Sequence, residues 1–209
     1  SEVQRQLSAI AELKVAEIAQ YRKEGLGDGD LLAGNAAFSE GAATFMRQPR
    51  DAAARKMLLA WLEKVRSISG YDRVSFVDTQ GRRLLSVPST EAPLDATVVR
   101  RLPEVLASSK ATMVDFFRAE EDQRVYLVVM VPVLDPEEKG PAIGAIVLRI
   151  DPEHHLFPFL ERWPGPSRTA ETLLVRREGN EAVFLNELKV QKGTALALRI
   201  SLDKTTIPA

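Results

Sequence analysis

The sequence predicts an α+β fold: a long N-terminal helix, a five-stranded antiparallel sheet with helical cover, and then a second, incomplete module of the same kind. Three observations carry this. Apolar residues keep a helical period up to residue 69, and extended, β-branched runs replace it from Arg73. The extended runs come in the order two strands, a short helix, three strands. Finally, the phrase VSFVDTQGRRLLSV at 74–87 has an echo, TLLVRREGNEAVFL, at 172–185. Laid together without a gap, Val77 meets Val175 and Gly81 meets Gly179.

The first helix is expected over 1–24, with Leu7, Ile10, Ala11, Val15 and Ile18 on one face. Gly25, Gly27 and Gly29 are expected to end it. GLGDGD is read as that stop. It is no phosphate loop, because no strand precedes it and position 30 is Asp. It is no calcium loop, because Leu32 and Ser39 fall where oxygen ligands are needed. Further helices are expected at 30–35, 36–46 and 51–69, with Asp51 as an N-cap and Gly70 as a stop. Arg73–Asp78 and Arg82–Val87 form a hairpin about Thr79-Gln80-Gly81, where Gly81 supplies a positive φ. A helix over 95–108 follows, its regularity limited by Pro103.

Strands are expected at 112–117, 124–134 and 142–150, with a charged Pro/Gly loop at 135–141. Asp151-Pro152 opens a helix to about Arg162, and WPGPSR is a loop. The echo then supplies strands at 171–177 and 181–186, and 195–202 looks extended. A lone hairpin is unstable in water and needs more strands or a helix on its apolar face. The first copy has them, and the second runs out of sequence. Strand–turn–strand phrases around a glycine are common, so the echo gains weight from the helix and the Gly- or Pro-marked loop that precede each copy. The expected division is 1–69 helical, 70–151 first module and 152–209 partial second module.

The composition is that of an ordinary soluble globular protein: 209 residues, 45% hydrophobic and 27% charged. With a formal charge of −1, pI about 6.2 and no basic stripe interleaved with aromatics, nothing points to nucleic acid. The absence of cysteine removes disulfides, thiolate catalysis and cysteine metal sites. Only His154 and His155 are present, too few for a multi-histidine centre. Neighbouring histidines on a helix point about 100° apart, so Glu153-His154-His155 reads as solvated or capping residues. No apolar run reaches the ~18 residues that a membrane span requires. No signal peptide is evident, and a first residue other than Met suggests an excised fragment. No GxSxG, HExxH or Walker loop occurs, so no catalytic residue, metal or cofactor is assigned.

Four stretches carry a family resemblance: LKVAEIAQYRKEGLGDGDLLAGNAAF, YDRVSFVDTQGRRLLSV, AIGAIVLRIDPEHHLFPFL and TAETLLVRREGNEAVFLNELK. Together they resemble the tandem PAS-like sensor regions, also called double Cache or PDC, of bacterial and archaeal sensor histidine kinases and diguanylate cyclases. The resemblance implies a PAS-like five-stranded module distal to the membrane and a partial PAS-like module proximal to it. It further implies an extracytoplasmic (periplasmic) domain anchored in the cell membrane of a two-component or cyclase receptor, with a small-molecule ligand in the distal module. A homodimer through the N-terminal helix is a further expected partner. Against the complete pattern, the proximal module lacks its final strands and both spans are missing. The aromatic and arginine motif of the amino-acid-binding subgroup is not found, so that ligand is not carried over.

A sensor pocket needs an apolar floor and a few polar groups that fix orientation. In PAS-like modules the lid precedes the third strand, here near Val99–Leu106, and the last three strands form the floor. The candidate ligand-binding residues are Arg100 and Arg101 on the lid, Asp115 and Phe117 on the third strand, and Arg124, Tyr126 and Met130 on the fourth. Alternation puts Arg124, Tyr126, Val128 and Met130 on one face, and an arginine there suits a carboxylate. The plain reading keeps the arginines as surface residues and Tyr126 and Met130 as core. Two functional alternatives stand beside the sensor: an interaction module whose pocket is filled by its own side chains, and a small α+β enzyme.

Overall fold

The computed structural model describes residues 2–137, 142–162 and 171–203. The loop expected at 135–141 therefore lies partly, and WPGPSR wholly, outside the described residues, as do the last six positions.

A first helix, α1 (Glu2–Ala33), runs unbroken through all three glycines that were expected to end it. The reason is close approach. A Cβ on Gly29 would stand 2.7 Å from the Ala111 Cβ and 3.1 Å from Val129, and one on Gly25 would touch Met113 at 3.4 Å. These two glycines, one turn apart, let the helix lie against the sheet. A helical glycine costs up to ~1 kcal/mol against Ala, and here packing offsets it. The expected helix at 30–35 is the end of α1 itself.

The buried stripe of α1 also differs from the expected one. Leu7 and Val15 are 49% and 65% exposed, whereas Lys14 is 7% exposed and Ile18 and Tyr21 pack inward. Lys14 donates to the Phe159 carbonyl at 3.2 Å, sits 3.2 Å from Glu17 and lies 5.0 Å above the Phe159 ring. Lys14, Ile18, Tyr21, Gly25 and Gly29 recur every three or four residues, so this is the true inner face.

Next come α2 (Ala36–Arg47) and α3 (Ala52–Ser69). Asn35 caps α2 through Phe38 N–H at 2.9 Å, and Asp51 caps α3 by accepting from Ala53 and Ala54. Gly70 ends α3 at φ 69°.

The strands β1 (Arg73–Asp78), β2 (Arg83–Val87), β3 (Thr112–Arg118), β4 (Val125–Leu134) and β5 (Ala142–Ile150) form one antiparallel sheet in the order β2-β1-β5-β4-β3. The helix expected over 95–108 is two short ones, α4 (Ala96–Val99) and α5 (Leu102–Ala107), with Pro103 in the first turn of the second. Alternation along β4 divides the core. Val129, Val131 and Val133 join Phe38, Leu58 and Leu62 of α2 and α3 on one face. Tyr126, Val128 and Met130 join Val98, Leu102 and Val105 of α4 and α5 on the other. Each fully buried Leu, Val or Phe contributes roughly 1.5–3 kcal/mol.

After Ile150 the chain makes a turn before α6 (Leu156–Glu161), so the helix starts later than Pro152. A second sheet holds β6 (Val175–Glu178), β7 (Glu181–Phe184) and β8 (Arg199–Ser201) in that order. Its strands are shorter than expected, because 171–174 and 195–198 are not extended ladder. Leu185, Leu174 and Leu196 join Phe116 and Leu127 of the first sheet, and Leu156, Phe157 and Leu160 of α6, in a third apolar cluster.

Candidate functional site

The lid helices lie on a floor that is already filled. Met130 has no exposed surface and Tyr126 1%, while Val98, Leu102 and Val105 above them are at most 2% exposed. The β1–β2 turn is tucked beneath the same lid. Gly81, at φ 80°, would bring a Cβ to 3.5 Å from Leu102 and 3.6 Å from Val99. Asp78 holds that turn by accepting from Gln80 N–H and Arg82 N–H at 2.9 Å and from Arg82 Nε at 2.7 Å. Burial acts to raise the Asp78 carboxyl, but these hydrogen bonds outweigh it and hold it below its usual range.

Beyond the lid, the same sheet face turns polar. Glu121, in the β3–β4 turn, accepts from Arg73 at 2.6 and 3.1 Å and from Arg149 at 3.1 Å. The Arg73 bonds hold its carboxyl down at about 2. Arg149 also grips Asp72 at 2.6 Å and lies 4.1 Å from the Tyr126 ring centre. Burial works against the charge on Arg149, and the carboxylates around it more than restore it. Arg83 completes the group. Burial, and then Arg73, push its guanidinium down. The Nε groups of Arg73 and Arg83 are buried without a partner.

The expected site residues divide between three places. Met130 is packed in the lid core. Tyr126 donates to Asp122 at 2.7 Å, and its hydroxyl is held protonated by burial and by that bond. Arg124 precedes β4 and reaches Asp151 at 2.5 Å, with its guanidinium half exposed. The remaining four, Arg100, Arg101, Asp115 and Phe117, line one cleft of about 870 Å³ on the outer side of β3. β3 is an edge strand, so its outward side is free to be lined by other elements. α1 contributes Arg22, β3 Arg118, β6 Arg176 and β8 Arg199. Arg176 donates to the Asp115 carboxylate at 3.3 Å and the Phe116 carbonyl at 3.0 Å, which fixes the second sheet against β3. Arg118 donates to the carbonyl of Ala195 across the same junction.

A second cleft, about 820 Å³, lies between α1 and α6 and is lined by Tyr21, Leu156 and Phe159 among others. Its lining also holds Glu17, Glu24 and Arg162, so it lacks the arginine excess of the first. His154 faces Asp151 at 3.1 Å in the turn before α6. Among the described residues no group of three or more metal-ligating side chains comes together.

The group of Arg73, Arg83 and Arg149 was not expected from the sequence, and of the cleft's arginines only Arg100 and Arg101 were. Arg149, an arginine inside the apolar run IVLRI, was the one local sign. Arg22, Arg176 and Arg199 gave none, because they meet only through the fold.

No protein family matches the chain, and no curated protein is significantly similar to it in sequence. Solved structures are similar in fold. The ligand-binding domain of the Pseudomonas fluorescens chemoreceptor CtaA, in complex with L-serine, superposes with TM-score 0.59 at 12% identity, covering 94% of this chain and 76% of that one. The extracellular domain of the putative histidine kinase vpHK1S-Z8 gives TM-score 0.56 at 13% identity, covering 92% of this chain and 90% of that one. The sensor domain of the V. cholerae histidine kinase DctB gives 0.54 at 13% identity, covering 71% of this chain. The chain spans 55% of that DctB domain. The architecture here, a long helix against a five-stranded antiparallel sheet with helices, is the fold these structures share.

Proposed function

We propose that the chain is the small-molecule-sensing region of a transmembrane receptor, of histidine kinase or diguanylate cyclase type, working outside the cytoplasm. The observation that carries this reading is the seam between α1 and the sheet. Gly25 and Gly29 bring the helix within van der Waals contact of β3 and β4, so a shift of these strands moves the helix with them. A ligand that prefers one arrangement of strand and lid then biases the helix, by differential affinity alone. The ligand-facing residues in this reading are Arg100, Arg101, Asp115 and Phe117, with Arg124, Tyr126 and Met130 as the packing and polar support behind them. Membrane anchoring and pairing of two copies through the exposed N-terminal half of α1, where Val3, Leu7 and Val15 face outward, belong to the same reading. No catalysis is assigned to the domain.

The filled floor beneath the lid favours a second reading, an interaction module with no ligand. A thermal-shift screen of the chain against organic acids, amino acids and amines separates the two. A ligand at 100 times its dissociation constant adds about 2.7 kcal/mol of stability. Saturable stabilisation by any member supports sensing, and silence across the library supports the interaction module.

A further inference from the structure

We propose that the cleft outside β3 is a receptor site for a small multivalent anion, clamped between the first sheet's lid and the second sheet. This rests on the sensing reading and adds to it the ligand's charge class and the second sheet's part in binding.

Six arginines line the cleft: Arg22, Arg100, Arg101, Arg118, Arg176 and Arg199. Four carboxylates lie with them: Asp115 in the wall, Glu104 at 2.9 Å from Arg101, and Glu178 and Glu181 at 2.8 and 3.0 Å from Arg199. Two positive charges are left over among the described residues. A monoanion leaves one of them uncompensated, and a neutral or cationic ligand leaves both. The surplus sits on identifiable side chains. Among the described residues Arg100 is held only by the Thr97 hydroxyl at 3.3 Å, and Arg118 donates to main-chain carbonyls rather than to a carboxylate. Arg22, exposed on α1, has no carboxylate partner among the described residues. Guanidinium forks in this state suit carboxylate or phosphate oxygens, which they can grip in pairs. The wall also has an apolar part, to which Met113 and Phe117 contribute. A site that joins fixed charges to an apolar floor can orient a small organic acid.

The cleft has three sides that are not one rigid element: α1, the lid with the β3 edge, and the second sheet. Arg176 and Arg118 already tie the last two together. An anion shared by Arg22, Arg100 and Arg118 adds a tie to α1, and through the Arg118 bond to the Ala195 carbonyl it bears on the second sheet. Ligand charge then draws the helix, the lid and the second sheet toward one arrangement.

Isothermal titration calorimetry of the full chain at constant ionic strength tests this. Citrate and succinate represent carboxylates, pyrophosphate and inorganic phosphate represent phosphates, and acetate and putrescine are controls. The expected result is saturable binding of at least one multivalent anion and none of putrescine, with the arm that binds identifying the source. Arg22→Glu and Arg100→Glu, both at exposed positions, are expected to weaken it at least tenfold each. Asp115→Asn, which removes a competing carboxylate, is expected to tighten it severalfold, a gain that a merely structural role would not produce. Absence of saturable anion binding, or binding indifferent to both charge reversals, overturns the inference. If a neutral amino acid or an amine stabilises wild type and both reversals equally, sensing stands and the anion cleft falls. If no compound binds, both fall.

Discussion

The β1–β2 and β6–β7 hairpins share a sequence phrase and live in different surroundings. In the first, every residue of β1 from Val74 to Asp78 is buried, and β5 and β2 pair on either side. In the second, β6 has no buried residue, and β8, the outer partner of β7, is exposed throughout. The turns differ as well. Asp78 closes a four-residue connection, 79–82, in the first, whereas Glu178 pairs directly with Glu181 across Gly179-Asn180 in the second. A strand–glycine–strand phrase therefore specifies a hairpin but not its register or its burial. Those come from what the rest of the chain supplies. The first copy is a structural floor. The second, lightly packed, presents Arg176 and Arg199 to a cleft.

The aligned valines offer the sharpest contrast. Val77 has no exposed surface and Val175 is 44% exposed. Val77→Ala is expected to cost about 2 to 3 kcal/mol by transfer and cavity terms. Val175→Ala should stay within about 0.5 kcal/mol. Urea unfolding measures both, and equal losses would break the comparison. Asp78→Ala removes the carboxylate that holds the first turn, and an expected loss of about 1 to 2 kcal/mol in the same assay follows from its hydrogen bonds. A smaller pair tests the seam with α1. Gly29→Ala forces a Cβ against Ala111 and should lower stability by about 1 kcal/mol, overpacking outweighing helix propensity. Gly27, with nothing within 4 Å of its added Cβ, should instead gain up to ~1 kcal/mol on the same change. If both substitutions stabilise, the close approach is wrong.

The smallest effect is one of pH. Glu121 titrates at about 2 in the folded chain, against 4.5 as a free side chain. A depressed folded value means that its contribution is complete above the unfolded value and is lost as pH falls from about 4.5 toward 2. Melting temperature followed across that window should fall more steeply in wild type than in Glu121→Gln. Matching slopes would remove Glu121 from the account of how the β3–β4 turn is fastened.

Period and turn chemistry made the first sheet legible. β1 and β5 fall where the sequence puts them, as do the Asp51 cap and the Gly70 stop. The glycines of α1 misled for a definable reason. Locally they read as breakers, yet Gly25 and Gly29 answer to residues 111–131, far along the chain. Half of the cleft was visible as Arg100, Arg101, Asp115 and Phe117, because all four lie on the lid and the third strand. The other half comes from α1, β6 and β8, and only the packing of the second sheet on β3 brings it there.

In the reading proposed above, a stable five-stranded floor carries a loosely packed second sheet that a multivalent anion fastens to it. Hydrogen exchange of the chain with and without citrate or pyrophosphate addresses it directly. Amides of β1, β4 and β5 should exchange only through global unfolding, with β6 and β8 faster by on the order of 100-fold. The anion that binds should then slow β6 and β8 selectively. Equal protection of both sheets in the free chain, or no change at β6 and β8 under saturating anion, would contradict it.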